Sequence, residues 1–336
     1  MNSMLSRKRE YLSWRRLIQV TISILLLWIV IKDFRVESFR AIVERINLWT
    51  LFLAILLVSI SHVVNVRRWY FLVNNNSISF SDLLVIYGTG LFGNNFLPTG
   101  FGGDVARASL LSQHINLKGA ILSVTLDRIL GFAGLAAILM LGIWLGYPAN
   151  LDLFEYSISL IVRDVILFVL AGVIIIALGL LLFNKIKGFH GEDARIFSKR
   201  IDWTKAVGTI FDNQSVSGIT WAFFLSILSH FIIVSAYWMI LKSLRLDNIF
   251  TPALWLYLIG FVSMLLPLTF NGVGLQEGLF LLAIKSYGFS EILGLYFALI
   301  TRLVIIGFGV AGGLVSIIWN PIRVGHQTNT VDGVLK

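Results

Sequence analysis

The feature that most restricts this chain is a series of apolar runs, most of them long enough to cross a bilayer as helices. A spanning helix needs about 20 predominantly apolar residues. The composition agrees, because 57% of the residues are hydrophobic and 13% are charged, whereas soluble domains carry about 25% charged residues. This excludes a soluble enzyme and a disordered chain. It predicts an all-α, polytopic membrane protein forming one transmembrane domain over residues 1–336.

Hydropathy places the predicted spans at 17–31, 48–66, 80–97, 119–146, 158–183, 217–241, 252–270, 275–286 and 291–319. Five basic residues precede the first span, which we interpret as uncleaved, with a cytoplasmic N-terminus. Arg67 and Arg68 then fall in a predicted cytoplasmic loop at 67–79. The chain has no cysteine, which excludes disulfides and thiolate metal sites.

Two of these apolar segments break before they can be complete spans. Pro98 ends the segment 80–97, and Pro267 lies in the last turn of 252–270; each is followed within a few residues by a glycine-rich stretch. Short helical segments follow at 104–117 and 275–286. We predict that each pair forms a re-entrant hairpin, which enters the membrane and turns back.

The sequence also carries a weak internal duplication, with the halves at 1–150 and 151–336. Ser61-His62 matches Ser229-His230, and the motif that starts at Pro98 matches the one at Pro267. Three crossings in the first half would make the repeats inverted. Interrupted hydrophobic segments at matching positions of two halves point to a substrate site near the bilayer midplane. The alternative is a chance match in an apolar, glycine-rich chain.

Arg128 and Arg302 each lie within a long predicted span, and Asp127 precedes Arg128. An arginine at the centre of a span costs about 2.5–3.5 kcal/mol on insertion scales, so it is expected to face protein or a wet cavity. One reading is a structural ion pair with Asp104 or Glu277. The other is a guanidinium group that binds a phosphate or carboxylate of the substrate.

The two short helices begin differently. Gly102-Gly103 opens the first, with Asp104 at its cap and Arg107 one turn later, which predicts either an anion site or a cap that stabilises the hairpin. Glu277 lies in the first turn of the second helix. We interpret Glu277 and Asp127 as candidates for proton or cation coupling, with compensation of the helix dipole as the alternative for Glu277.

His62 and His230 occupy matching positions in two spans. We expect interhelical hydrogen bonds from them, with proton transfer as the alternative. The sequence holds none of the metalloprotease, phosphate-loop or nucleophile-elbow motifs. We expect no cofactor, no metal and no nucleic-acid partner.

Several motifs, in this order, resemble the lysylphosphatidylglycerol synthase transmembrane region family, also called flippase-like. They are Val66-Arg67-Arg68-Trp69, Asn95 to Ala108 with its Gly-Gly-Asp-x-x-Arg-Ala core, Asp127-Arg128, Leu266 to Glu277, and Thr301-Arg302. The similarity runs from about residue 15 to 320. The second motif departs from the family at Thr269-Phe270-Asn271, where a Pro-Gly-Gly run is common.

The resemblance implies a bacterial or archaeal cytoplasmic-membrane protein that moves lipids or lipid-linked groups between leaflets. It places Asp104, Arg107, Arg128, Glu277 and Arg302 on motif positions. We expect an anionic phospholipid or a polyprenyl-phosphate-linked substrate, and membrane lipids as further partners, with self-association left open. No aminoacyltransferase domain follows residue 336 in this sequence, so we expect no aminoacyl-lipid synthesis. The alternatives are a transferase that acts on a lipid carrier, with Asp104 or Glu277 as general base, and a non-catalytic partner in envelope synthesis.

Overall fold

A computed structural model describes residues 46–73, 78–96, 102–145, 216–246, 249–265 and 269–319, together with a few positions between 21 and 28. The predicted spans at 17–31 and 158–183 lie largely or wholly outside this described part, as do Pro98 and Pro267. The described segments are helical: α1 (Leu48–Val73), α2 (Phe80–Phe96), α3 (Gly102–Leu111), α4 (Leu117–Leu145), α5 (Val216–Ser243), α6 (Phe250–Leu265), α7 (Leu275–Ser286) and α8 (Glu291–Trp319), with a 3₁₀ turn at Phe270–Gly272.

Side chains of the preceding residues cap several of these helices. The Asn47 side-chain oxygen accepts the backbone N–H groups of Trp49 and Thr50 at the start of α1. The Asn116 side chain accepts the N–H of Gly119 at the start of α4, and Ser79 accepts that of Asp82 in α2. These bonds satisfy donors that a helix start leaves unpaired.

Four helices are long and apolar enough to cross a membrane, namely α1, α4, α5 and α8. They contain 26, 29, 28 and 29 residues. The helices between them are shorter, with 17 and 10 residues in α2 and α3 and 16 and 12 residues in α6 and α7. A multi-pass membrane protein is therefore confirmed, and α1–α4 and α5–α8 follow the same order of helix lengths.

The end predicted for the second span is wrong. We expected it to stop at residue 66, with Arg67 and Arg68 in a loop, but α1 continues to Val73 and buries Arg68. Hydropathy ends a span at a pair of arginines because it counts each charge as exposed to lipid. Here the Arg68 guanidinium is paired inside the protein, whereas Arg67 is exposed.

Helices α1 and α5 pack antiparallel along one seam. The N–H of Asn47 donates to the carbonyl oxygen of Ser243 at 3.0 Å, and the Ser61 hydroxyl donates to the carbonyl oxygen of Ser229 at 3.3 Å. Residue numbers therefore rise along α1 as they fall along α5. Ser61 meets the residue that the sequence pairs with it.

Close backbone approach joins α2 to α8 and to α3. A Cβ atom added to Gly88 would lie 3.0 Å from the Cα of Gly312, and one added to Gly93 would lie 2.9 Å from the Cα of Gly103. Small residues allow such packing between membrane helices, where apolar burial gives no driving force. The outer faces expose large apolar residues, and Trp49, Trp144 and Trp319 lie at helix ends, as in the aromatic belts of membrane proteins.

Candidate functional site

Arg128 and Asp104 form a two-point ion pair between α4 and the first turn of α3. The Arg128 Nε lies 2.8 Å from one Asp104 carboxylate oxygen, and an Nη lies 3.0 Å from the other. The Arg128 side chain remains 36% exposed, whereas that of Asp104 is 11% exposed. The structural ion pair that we considered from the sequence is therefore present, but its arginine is still accessible.

Asp127 lies between two other arginines. Arg68 of α1 donates from Nε to one of its oxygens at 2.8 Å, and Arg107 of α3 donates to the other at 3.0 Å. Arg68 also donates to the hydroxyl of Ser226 on α5 at 2.9 Å. All three charged side chains are at most 8% exposed. Asp127 thus holds together helices that are distant in sequence.

Arg107 connects the two groups. Its guanidinium lies 3.7 Å from Asp104, 3.9 Å from the centre of the Trp69 ring and 5.1 Å from that of Tyr87. Its buried Nε has no hydrogen-bond partner among the described residues. We call Arg68, Arg107, Arg128, Asp104 and Asp127 the arginine cluster. It combines three positive charges with two negative ones.

Gly103 serves the packing of α3 against α2. Its N–H donates to the side-chain oxygen of Asn94 at 3.0 Å, and both Gly102 and Gly103 are buried. This hydrogen bond fits the second of the two alternatives drawn from the sequence, a cap that stabilises the hairpin. The anion-binding role of Gly102 and Gly103 stays a prediction.

Arg302 and Glu277 form the corresponding pair in the second half. The Arg302 Nε lies 2.7 Å from one Glu277 oxygen, and the other oxygen accepts the N–H of Gly274 at 2.7 Å. Arg302 also donates to the carbonyl oxygen of Asn271 at 3.1 Å. The two side chains are 11% and 3% exposed. Glu277 therefore both pairs with Arg302 and caps α7.

The two histidines contact tyrosines in the same way. His62 lies 3.4 Å through Nδ1 from the hydroxyl of Tyr87 on α2, and His230 is hydrogen-bonded to the hydroxyl of Tyr257 on α6. The Nε2 of His230 also lies 2.9 Å from the carbonyl oxygen of Gly131. The interhelical hydrogen bonds predicted for both histidines are confirmed.

Described residues that flank the two helix breaks contact each other. The Asn271 side chain donates to the side-chain oxygen of Asn95 at 3.4 Å, and the Asn95 amide donates to the carbonyl oxygen of Ile305 at 3.0 Å. Asn95 precedes Pro98 by three residues and Asn271 follows Pro267 by four. A polar contact therefore links the described residues that flank the two breaks.

A cavity of about 330 Å³ lies between the helices of both halves. Its lining includes Arg68, Arg107, Asp127, Arg128 and both histidines, and α1, α2, α3, α4, α5, α6 and α8 all contribute residues. Aromatic side chains, among them Tyr87, Phe132, Phe261 and Phe308, form much of the remaining wall. Glu277 and Arg302 are not among the described residues that line it.

The structure thus brings together four of the predicted site residues, Asp104, Arg107, Asp127 and Arg128, and adds Arg68. Glu277 and Arg302 form a separate pair. Arg68 was missed because its partner, Asp127, lies 59 residues away and no local spacing indicates the contact. One signal was available: Arg68 follows Ser61 by seven residues, so both lie on the same face of a helix.

The order of these motifs matches a known family. The sequence profile of the Lysylphosphatidylglycerol synthase TM region matches residues 16–313. The chain belongs to this family. It is also similar to a UPF0104 membrane protein of Methanocaldococcus jannaschii, with 27% identity over 268 residues that cover 75% of this chain and 79% of the relative. No solved structure matches the chain.

Proposed function

We propose that this family member moves a lipid, or a lipid-linked group, with an anionic headgroup between the leaflets of the membrane. The main obstacle to such movement is the transfer of a polar headgroup through hydrocarbon. The proposal depends on one observation: four members of the arginine cluster, all except Asp104, line a cavity between the helices. The headgroup would enter this cavity while the acyl chains stay in lipid.

The size and the wall of the cavity support a headgroup inside it and acyl chains outside it. Pockets for drug-sized ligands have volumes of about 300–1,000 Å³, so a cavity of about 330 Å³ has room for a headgroup but not for two acyl chains as well. Its aromatic and aliphatic wall would tolerate the glycerol and first methylene groups. Arg128 is the most accessible guanidinium of the cluster and the first expected contact for a phosphate.

The helix lengths support inverted repeats with re-entrant hairpins as part of the proposal. Helices α2 and α6, with 17 and 16 residues, are shorter than the about 20 residues that a span requires. Each is followed by a still shorter helix and then by one of 29 residues. The antiparallel seam of α1 and α5 joins Ser61 to Ser229, as expected for two halves related by a two-fold axis in the membrane plane.

We further propose a cytoplasmic membrane location with the N-terminus in the cytoplasm, because basic residues are concentrated before the first span. The coupling role of Asp127 and Glu277 takes a specific form. Both carboxylates are occupied by arginines in this state. At Asp127, a proton or cation could bind only after the substrate phosphate has drawn Arg68 or Arg107 away, whereas at Glu277 the Arg302 pair itself would have to open.

A leaflet-exchange assay tests the proposal. Purified protein is reconstituted into vesicles that contain an acyl-chain-labelled anionic lipid, and an impermeant reductant bleaches the outer leaflet. Without any co-substrate, wild-type vesicles should lose nearly all the signal and protein-free vesicles about half. Arg128→Ala should slow the exchange about tenfold or more, because the first contact of the phosphate is lost. The panel includes phosphatidylglycerol, phosphatidic acid and a polyprenyl phosphate.

Arg67→Ala is the matched control, because Arg67 is exposed and lies outside the cluster. It should exchange lipid at the wild-type rate. Product formation only after a donor is added would favour a transferase instead. Absence of both exchange and product, from protein shown to be folded, would overturn transport and favour a partner role in envelope synthesis.

A further inference from the structure

The charge balance of the arginine cluster narrows the substrate class. Within the described residues, Arg68, Arg107 and Arg128 face two carboxylates, those of Asp104 and Asp127. The cluster therefore carries one positive charge in excess. A charge that is buried without a partner costs several kcal/mol. No further carboxylate among the described residues pairs with the three arginines, so a bound anion would stabilise the cluster.

The excess charge can be assigned to a place in the cluster. Arg68 is matched by Asp127 and Ser226, and Arg128 is matched at two points by Asp104. Arg107 shares both carboxylates with these neighbours, and its buried Nε has no hydrogen-bond partner in the described part of the chain. Stacking on Trp69 stabilises a desolvated guanidinium but does not neutralise it. Arg107 lines the cavity, so this donor belongs to a residue of the cavity wall.

The second half provides an internal comparison. Arg302 and Glu277 balance each other, and neither is among the described residues that line the cavity. The cavity histidines, His62 and His230, are hydrogen-bonded to tyrosine hydroxyl groups. Among the buried charged groups of the described residues, the excess positive charge is thus confined to the first-half cluster.

We infer that the site selects a headgroup with a single negative charge, a phosphodiester, over a phosphomonoester. This inference rests on the proposed function and deepens it. A phosphomonoester carries about −1.5 to −2 charges at pH 7, because its second pKa lies near 6. Bound in the cavity, it would exchange one uncompensated positive charge for an uncompensated negative one. A phosphodiester leaves the cluster neutral.

Binding in detergent tests this without requiring transport. Three probes share the same short acyl chains: phosphatidylglycerol with one negative charge, phosphatidic acid with a phosphomonoester, and net-neutral phosphatidylcholine. At pH 8, calorimetry should give an affinity for phosphatidylglycerol that is about tenfold or more above those of the other two. Equal affinity for phosphatidic acid at pH 8 would overturn the inference.

A pH series sharpens the test. Between pH 8 and pH 5.5, phosphatidic acid gains a proton and becomes a monoanion, so its affinity should approach that of phosphatidylglycerol. The phosphatidylglycerol series is the control, because the same cavity histidines and arginines act on both lipids while this diester keeps its charge. A constant ratio of the two affinities across this range would contradict selection by charge.

Two substitutions should move the preference in opposite directions. Asp104→Asn raises the cluster charge by one and should favour phosphatidic acid at pH 8, whereas Arg107→Gln lowers it by one and should favour phosphatidylcholine. The ratio of affinities is read within each variant, and Arg67→Gln should leave the wild-type ratio unchanged. If neither cluster variant folds, the pH series on the wild-type protein still tests whether the site selects headgroups by charge.

The binding result and the transport result can fail separately. Selective phosphodiester binding without leaflet exchange would retain this inference and overturn transport. Leaflet exchange without selection by headgroup charge would support transport and overturn this inference. Glycerophosphoglycerol, which carries the same phosphodiester without acyl chains, distinguishes the two sources of this chemistry. Weaker binding than that of the lipid supports a lipid headgroup, whereas equal binding would overturn the lipid as source.

Discussion

The two arginine–carboxylate pairs at the starts of α3 and α7 look alike but differ in their surroundings. Arg128 shares Asp104 with a second arginine, borders a cavity and is 36% exposed. Arg302 has Glu277 to itself among the described residues, is 11% exposed and also bonds to a backbone carbonyl. The same chemical pair is therefore accessible in one half and almost fully buried in the other, and we propose a ligand-binding role only for the accessible one. Accessibility and local charge balance separate the two roles.

The largest effect is expected at Asp127. Asp127→Asn leaves Arg68 and Arg107 buried against each other with no carboxylate between them. We expect a loss of about 5 kcal/mol in the free energy of unfolding, since breaking a single buried pair costs about 3–5 kcal/mol. Unfolding of the purified protein in detergent measures this loss.

Glu291→Gln is the control for Asp127→Asn. Glu291 pairs with Lys285 at the surface, with side chains 57% and 63% exposed, and its loss should cost less than about 1 kcal/mol. Equal effects of the two substitutions would mean that the cluster does not hold α1, α3 and α4 together.

Glu277→Gln should cost about 3 kcal/mol, because it isolates only one buried guanidinium. Headgroup selectivity should stay unchanged, since this pair is apart from the cavity. Adding Arg302→Met should recover at least half of the lost stability, because no charge is then left unpaired. A change in selectivity would show that the second pair also contacts the substrate, and the contrast between the halves would disappear.

Arg128→Lys should separate binding from folding. Its side chain is partly exposed, so we expect a stability loss of about 1 kcal/mol. Leaflet exchange should nevertheless slow about tenfold, because an ammonium group cannot make the two-point contacts of a guanidinium. Arg302→Lys is the comparison variant and should lower stability more than exchange. If Arg128→Lys lowered mainly stability and Arg302→Lys slowed mainly exchange, Arg302 rather than Arg128 would be the substrate contact.

The smallest effects are expected at the histidines. Both ring nitrogens of His230 are engaged, whereas His62 makes one long contact of 3.4 Å. His230→Phe should therefore destabilise the protein by about 1 kcal/mol and His62→Phe by about half as much or less. Parallel unfolding curves of the two variants measure the difference. A larger loss at His62 would contradict this ranking of the two hydrogen-bonding arrangements.

The sequence indicated the long helices, the short helices after the breaks, and the pairing of Arg128 and Arg302 with Asp104 and Glu277. These depend on local patterns: apolar length, breaks at Pro98 and Pro267, and a charge that cannot face lipid. Arg68 could not be found this way. Its environment is created by Asp127 and Ser226 on helices far away in sequence, and hydropathy treats every arginine alike.

The sequence also could not show the cavity, since its wall draws residues from seven helices. The difference between the two halves was also hidden. Both halves carry an arginine and a carboxylate at matching places, and the three further charged residues of the cluster, Arg68, Arg107 and Asp127, distinguish them. The net charge of a folded cluster depends on residues that are far apart in sequence. A short sequence motif therefore does not reveal it.

The antiparallel seam of α1 and α5 has a consequence for ancestry. Ser61 meets Ser229, its own counterpart in the other half. A helix surface that packs on a copy of itself could also join two separate chains, each half as long as this one. The two chains would then have opposite orientations in the membrane. Duplication and fusion of one such gene would preserve the contact and free each copy to diverge. If the proposed repeat arose in this way, the different surroundings of Arg128 and Arg302 would reflect divergence of the two copies after fusion.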